Sequence, residues 1–316
     1  MKACVLSGGG AKGAFQVGVL RYLVDKENRD YDVYTGISVG ALNAAQCATG
    51  PLPKSLLKLE HIWLNSIKGN SSIWKHHLFI YLGLSLALIV ALLSGGLVAL
   101  FLKAAVWITA ILFILSVLSL AVPFLALIHT KSVYKNSPLR KIIDNELNLT
   151  DIMNSGKILR VGAVQYQNGT YMFGTHENTN LKKWIMASSS FPIFFPMERI
   201  GPADYTDGGV VEVAPLDDAL ALGADEIDII LASPLESDSV DKVPGLPMQL
   251  MRILDLMSGE IKENDLIKMG HANGKVKIRL FMPDKELTSN SLDFNPKKLE
   301  EMYLKGMKAG GDPIYK

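Results

Sequence analysis

At 316 residues the chain is long enough to bury a sizeable core, as one large α/β domain or two smaller ones. Lys plus Arg total 32 against 31 Asp plus Glu, so no overall field favours nucleic acid or an anionic surface. The two cysteines, Cys4 and Cys47, stand in apolar contexts without a CxxC or Cys/His cluster, which points to buried free thiols and not to a metal or redox site.

In chain order, residues 2–6 (KACVL) read as a short buried strand that runs directly into SGGGAKG. With no cleavage site behind it, this run is no secretory signal. Helical periodicity follows from Ala14 to Lys26, a second strand at 31–35, the turn Gly36-Ile37-Ser38-Val39-Gly40, and the helix former ALNAAQCA, stopped by Pro51 and Pro53. Ser55 to Ile67 is a further amphipathic helix. From Leu78 to Leu102 no residue is charged, and after Lys103 none is from Ala104 to Ile128. One helix through this block would be about 75 Å long at 1.5 Å per residue, against roughly 30 Å of bilayer hydrocarbon, so two passes fit better. The turn falls either at Ser94-Gly95-Gly96 or around Lys103; the second choice puts Trp107 near the far interface. Gly95 and Gly96 would also allow close helix packing. Lys75, His76 and His77 before the block, and His129, Lys131 and Lys135 after it, mark both ends as cytoplasmic. The competing account, a helical hairpin buried in a core, suits the length less well.

Beyond the block, RVGAVQYQ and TYMFGT flank Asn168-Gly169, a favoured pair for a two-residue β-hairpin turn. A helix at 182–188 ends in ASSSFPIFFP, followed by Asp207-Gly208-Gly209, a helix at 216–222 and the strand EIDIILAS. A polar loop at 234–247, a helix from Met248 to about Met269, a strand KVKIRLFMP and a helix from Pro296 complete the chain. Strands alternating with helices predict an α/β fold with a mostly parallel sheet covered on both faces.

Two glycine motifs bear on chemistry. Gly8, Gly10 and Gly13 satisfy G-x-G-x-x-G between a strand and a helix, and Asp32, about 20 residues on, stands where a dinucleotide-binding loop has its ribose-binding acid. That acid should close the second strand, however, whereas Asp32 lies near its start. A Walker loop is excluded, because Lys12 is followed by Gly13. Gly36-Ile37-Ser38-Val39-Gly40 is a G-x-S-x-G sequence in the context of a nucleophile elbow, with a serine N-cap as the plain alternative. None of the six histidines stands out as a base for Ser38: His61 lies on an amphipathic helix, and His176 and His271 lack a partner motif. Asp207 is the better candidate, since the two glycines after it can aim its carboxylate into a cleft and a dry pocket raises a carboxylate's pKa. Asp204, Asp217 and Asp218 have no comparable turn.

Taken in order, Gly8-Gly9-Gly10-Ala11-Lys12-Gly13, Gly36 to Gly40 around Ser38, and Asp207-Gly208-Gly209 resemble the patatin-like phospholipases; ASSSFPIFFPM and ALGADEIDIILAS do as well. The resemblance implies a three-layer α/β/α sandwich with a mostly parallel central sheet. It further implies Ser38 as nucleophile, Asp207 as general base, and the N–H groups of Gly8, Gly9 and Gly10 as oxyanion hole, with no metal or cofactor. The resemblance covers about 1–75 and 135–235. Expected is a discontinuous catalytic domain, 1–75 and 130–316, interrupted by a transmembrane helical hairpin at 76–129 and held on the cytoplasmic side. Its expected reaction is acyl-ester hydrolysis of a phospholipid, lysophospholipid or acylglycerol at a lipid bilayer, with no nucleic acid partner. Lys12 is expected to be solvated. The alternatives are a membrane-tethered, Rossmann-like nucleotide-binding protein and a catalytically silent lipid-binding scaffold.

Overall fold

The computed structural model describes residues 1–76, 78–101, 106–119, 125, 128–235 and 276–315. In chain order it comprises β1 (Lys2–Leu6), α1 (Gly13–Glu27), β2 (Val33–Ile37), α2 (Val39–Cys47), α3 (Leu52–His61) and one π-helical turn, Ile62–Ser66. Next come β3 (Lys75–His76), α4 (Leu78–Phe101), α5 (Val106–Ser119), β4 (Tyr134–Lys135), α6 (Ser137–Glu146) and α7 (Leu149–Asn154). They are followed by β5 (Ile158–Gln165), β6 (Tyr171–Thr175), α8 (Leu181–Ser188), β7 (Glu198–Ile200), β8 (Ala203–Asp207) and α9 (Leu216–Ala221). The chain then adds β9 (Glu226–Ile230), β10 (Lys277–Phe281), α10 (Pro296–Ala309) and β11 (Ile314–Tyr315). The expected helix at 248–269, most of the loop at 234–247, Lys103, His77 and His271 lie outside the described residues.

Nine strands form one sheet in the order β11-β10-β9-β1-β2-β5-β8-β7, with β6 also on β5. The middle, β10-β9-β1-β2-β5, is parallel throughout, and the strands added at either side are antiparallel. Alternation along β1 explains the layers. Cys4 and Leu6 enter the core under α1, α2, α3 and α10, whereas Ala3 and Val5 enter a second core under α9. β2 is buried at every position, as a central parallel strand with both faces covered must be. It begins and ends two residues later than expected, with Gly36 and Ile37 continuing the ladder opposite Val161 and Gly162. The 158–175 hairpin is also confirmed, but with a longer turn. Gln165 N–H donates to Thr170 O at 2.9 Å, leaving 166–169 as the loop. Only Gly169 there has positive φ, whereas the tight two-residue type I′ turn needs two such residues.

The apolar block forms two helices that pack on each other, with Gly96 facing Leu112. Helix α4 runs unbroken through Ser94, Gly95 and Gly96, so the chain does not turn there; the other site of the turn is not among the described residues. Helix α5 has 14 residues, about 21 Å. It falls short of roughly 30 Å of hydrocarbon, which each pass of a hairpin must span. Among the described residues no helix is long and apolar enough to cross a membrane, so the expected two-pass hairpin is not supported. The outer faces of these helices are nevertheless open: Leu84, Leu97, Phe101, Val106, Trp107 and Phe113 are all exposed.

Helix α10 docks on α1 through two glycines. A methyl group on Gly306 would overlap the Phe15 carbonyl oxygen, and one on Gly18 the Tyr303 carbonyl oxygen. Gly306→Ala should therefore destabilise the protein by about 1–3 kcal/mol despite its better helix propensity, which a shift in denaturant midpoint will show.

Candidate functional site

The glycine loop leaves the C-terminal end of β1, and Ser38 follows directly on β2. Because these strands are parallel neighbours with Leu6 opposite Gly36, both turns open on the same edge of the sheet. Ser38 has φ 56° and ψ −124°, a strained conformation for a residue with a side chain, and it stands at the head of α2. Two close approaches enforce this elbow. A side chain on Gly36 would strike the Gly40 carbonyl, and one on Gly40 would strike the Leu6 carbonyl. The Ser38 N–H donates to Ser188 Oγ at 2.8 Å, which ties the elbow to the end of α8.

Asp207 ends β8, two strands away, and pairs with Ala163 just beyond the Gly162 that faces Ile37. It is wholly buried. Its Oδ1 accepts the Gly209 N–H at 2.8 Å, while Oδ2 has no hydrogen-bond partner among the described residues. Gly208 packs against the backbone of Gly162, where a side chain would crowd the carbonyl. Burial lifts the Asp207 pKa from 3.8 to about 7; the Gly209 N–H and the nearby Ser38 hydroxyl pull the other way without cancelling it.

The glycine loop differs from expectation in one donor and in its lysine. Gly8 N–H donates to the Val213 carbonyl at 3.1 Å and is not free. Gly9 and Gly10 N–H groups make no hydrogen bond among the described residues, so two donors remain where three were expected. Gly10 has φ 57° and lies against the Ser291 carbonyl, leaving no room for a side chain. Gly13 is packed equally tightly, against Val39 and Trp63. Lys12 is not solvated: it is 1% exposed, with Nζ 2.5 Å from Glu286 Oε1 and 2.9 Å from Ser233 Oγ.

Gly8, Gly9, Gly10, Lys12, Ser38 and Asp207 line one cavity of about 190 Å³. Its walls are apolar, with Leu42, Leu59, Trp63, Ile143, Phe191 and Phe194 among them, and no described histidine lines it. Asp32 is at the opposite end of the sheet, where its carboxylate accepts the Lys2 N–H at 2.8 Å. An acid there cannot reach a ribose held at the glycine loop, which removes the main support for dinucleotide binding. Asp218 is engaged elsewhere, accepting from Tyr171 Oη at 2.9 Å and pairing with Arg160. Asp204 pairs with Arg199.

Several supports escaped the sequence reading. Trp63 Nε1 donates to Asn43 Oδ1, Asn43 Nδ2 to Gln16 Oε1, and Gln16 Nε2 to the Ser7 and Ile230 carbonyls. This buried chain joins the pocket wall, α2, α1 and the glycine loop. Its signal was present as Gln16 and Asn43, two amides inside otherwise apolar helix faces. The other support is the segment after β10, where Glu286 meets Lys12 and the Ser291 carbonyl accepts Ala11 N–H at 2.7 Å. Nothing local in the sequence marks those partners.

A mostly parallel α/β sheet, with a serine elbow and a glycine loop opening together on an apolar pocket, defines a class that includes acyl-transferring hydrolases. The profile of the patatin-like phospholipase family matches residues 4–220. The chain belongs to that family of lipid acyl hydrolases. No curated protein matches it. Among solved structures it is similar to VipD from Legionella pneumophila, at 15% identity and a TM-score of 0.45. The match covers 98% of this chain and 66% of that one, so the chain spans just under two thirds of VipD's length.

The lysine pairing yields a test. Glu286→Gln leaves a buried ammonium without its counter-charge and should cost about 3 kcal/mol, seen in the denaturant midpoint, while Lys12→Met with Glu286→Leu should recover most of that loss.

Proposed function

We propose that the protein hydrolyses acyl esters of membrane lipids, as a phospholipase A or lysophospholipase, with Ser38 as nucleophile and Asp207 as general base. The observation that carries this reading is a strained serine at a helix head sharing an apolar cavity with a buried carboxylate that keeps one oxygen unpaired. Asp207 takes the proton as Ser38 Oγ attacks the ester carbonyl. The Gly9 and Gly10 N–H groups stabilise the tetrahedral oxyanion, helped by the positive end of α2. The alcohol departs with the proton from Asp207, which then activates water to release the fatty acid from Ser38. A base whose pKa is near 7 is matched to this work at neutral pH, which a solvated carboxylate is not. The apolar walls suit an acyl chain, and they give no support to a nucleotide.

The second half of the proposal concerns α4 and α5. Their open apolar faces form a surface far larger than a water-exposed monomer ordinarily carries, and a lipid bilayer is the cover proposed for it. The rest of the protein is then held at the cytoplasmic leaflet, where acyl chains are concentrated.

A serine-reactive fluorophosphonate should label the wild type and leave Ser38→Ala unlabelled; absence of label on the wild type would overturn the hydrolase reading. Hydrolysis should rise with pH through about 7 and level off, following ionisation of Asp207, and Asp207→Asn should abolish that rise. The sign for stability is opposite. Between 3.8 and about 7 the folded carboxyl keeps a proton that the unfolded chain has lost, so its contribution to stability falls across that window. Asp207→Asn should accordingly melt higher than the wild type above about pH 7 and close to it in acid. Deleting 78–128 should abolish binding to uncharged phosphatidylcholine vesicles while leaving hydrolysis of a soluble short-chain ester measurable.

A further inference from the structure

From His61 through Ile143 the sequence contains no Asp or Glu, although the chain as a whole is nearly neutral. Four lysines of this stretch flank α4 and α5 in the chain. Lys68, Lys75, Lys131 and Lys135 are all exposed, and none has a carboxylate partner among the described residues. The β3–β4 ribbon sharpens the imbalance, because its register sets Lys75 directly opposite Lys135. Like charges facing each other across an antiparallel pair are destabilising, and among the described residues no carboxylate pairs with either lysine.

The same ribbon is bonded to the wall of the cavity. Val133 N–H donates to Ile193 O and Tyr134 N–H to Phe194 O, each at 2.9 Å. The Tyr134 ring stacks on Trp74 at 4.3 Å and on Phe194 at 6.2 Å between centroids. Ile193 is a β-branched residue at φ 71°, a costly conformation, and it holds an apolar side chain 54% exposed beside the ribbon.

We propose that the Lys75/Lys135 ribbon, with Lys68 and Lys131, is a docking surface for the phosphate headgroups of an anionic bilayer. Bound there, the ribbon holds the Ile193–Phe194 rim of the cavity against the leaflet. The inference rests on the reading that α4 and α5 meet a lipid surface, and adds to it which lipids are chosen.

The test is co-sedimentation of the full chain with phosphatidylcholine vesicles and with mixed phosphatidylcholine–phosphatidylglycerol vesicles, for the wild type, Lys75→Gln with Lys135→Gln, and Lys75→Arg with Lys135→Arg. The wild type should prefer the mixed vesicles, and the preference should shrink with added salt. The Gln variant should lose about fivefold in partitioning for each lysine removed, on the mixed vesicles alone, whereas the Arg variant should keep wild-type binding. Equal wild-type binding to both vesicles, or a Gln variant weakened equally on both, overturns the headgroup proposal and leaves the bilayer reading standing. No binding to either overturns both. Hydrolysis of a soluble ester in the cavity, which Lys75 and Lys135 do not line, reports that the variants are folded.

Discussion

Everything in the site depends on how closely the start of α2 approaches the end of β1. Gly40 lies against the Leu6 carbonyl, and this contact sets the distance between the glycine loop and the serine elbow. Any side chain there would push α2 off the sheet and separate Ser38 from the free N–H groups of Gly9 and Gly10. The parallel β1–β2 ladder supplies direction, the glycines supply proximity, and the Gln16–Asn43–Trp63 chain holds the two helices at that spacing. The buried amides stabilise modestly as pairs, but losing any one strands its partner in a dry core, where an unmet hydrogen bond costs about 1–3 kcal/mol. Such a network fixes geometry more than it adds to stability.

The acid is set by a different constraint. Among the described residues no cation pairs with the buried Asp207, so desolvation dominates its titration. Buried carboxylates elsewhere in the chain are treated otherwise. Asp228, equally inaccessible, is met by Arg29, Arg279 and the Tyr31 hydroxyl, and these bind β9 and β10 to the end of α1. One carboxylate is neutralised to hold strands together, and the other is left short of partners at the edge of a cavity. The contrast within one sheet supports assigning chemistry to Asp207 and architecture to Asp228.

Much of this was legible in the sequence. The glycine loop, the elbow and the Asp-Gly-Gly turn are local signals, each dictated by backbone conformations that few residues permit; the first two fall at strand ends as expected, whereas the strand that Asp207 closes was not foreseen. What stayed hidden is non-local. That Gly8 is already bonded follows from where Val213 lies, and that Lys12 is buried follows from Glu286, more than 200 positions away in the chain. Periodicity likewise identified α4 and α5 as apolar helices but placed their turn ambiguously, since glycine in a long apolar helix costs too little to break it. The position of Asp32 was legible too: its spacing from the loop suited a ribose-binding acid, but the sequence already set it near the start of the second strand, and in the structure it precedes β2, at the end of the sheet away from the glycine loop.

The segment between β10 and α10 has a consequence in time as well as in space. Glu286 and Ser291 steady the glycine loop, and α10 covers α1, but all are synthesised long after the residues they support. A nascent chain therefore carries Ser38, Asp207 and its apolar helices well before the Gly9 and Gly10 N–H groups are held in place. On the proposed reading, hydrolytic competence comes only once the residues after β10 have been made.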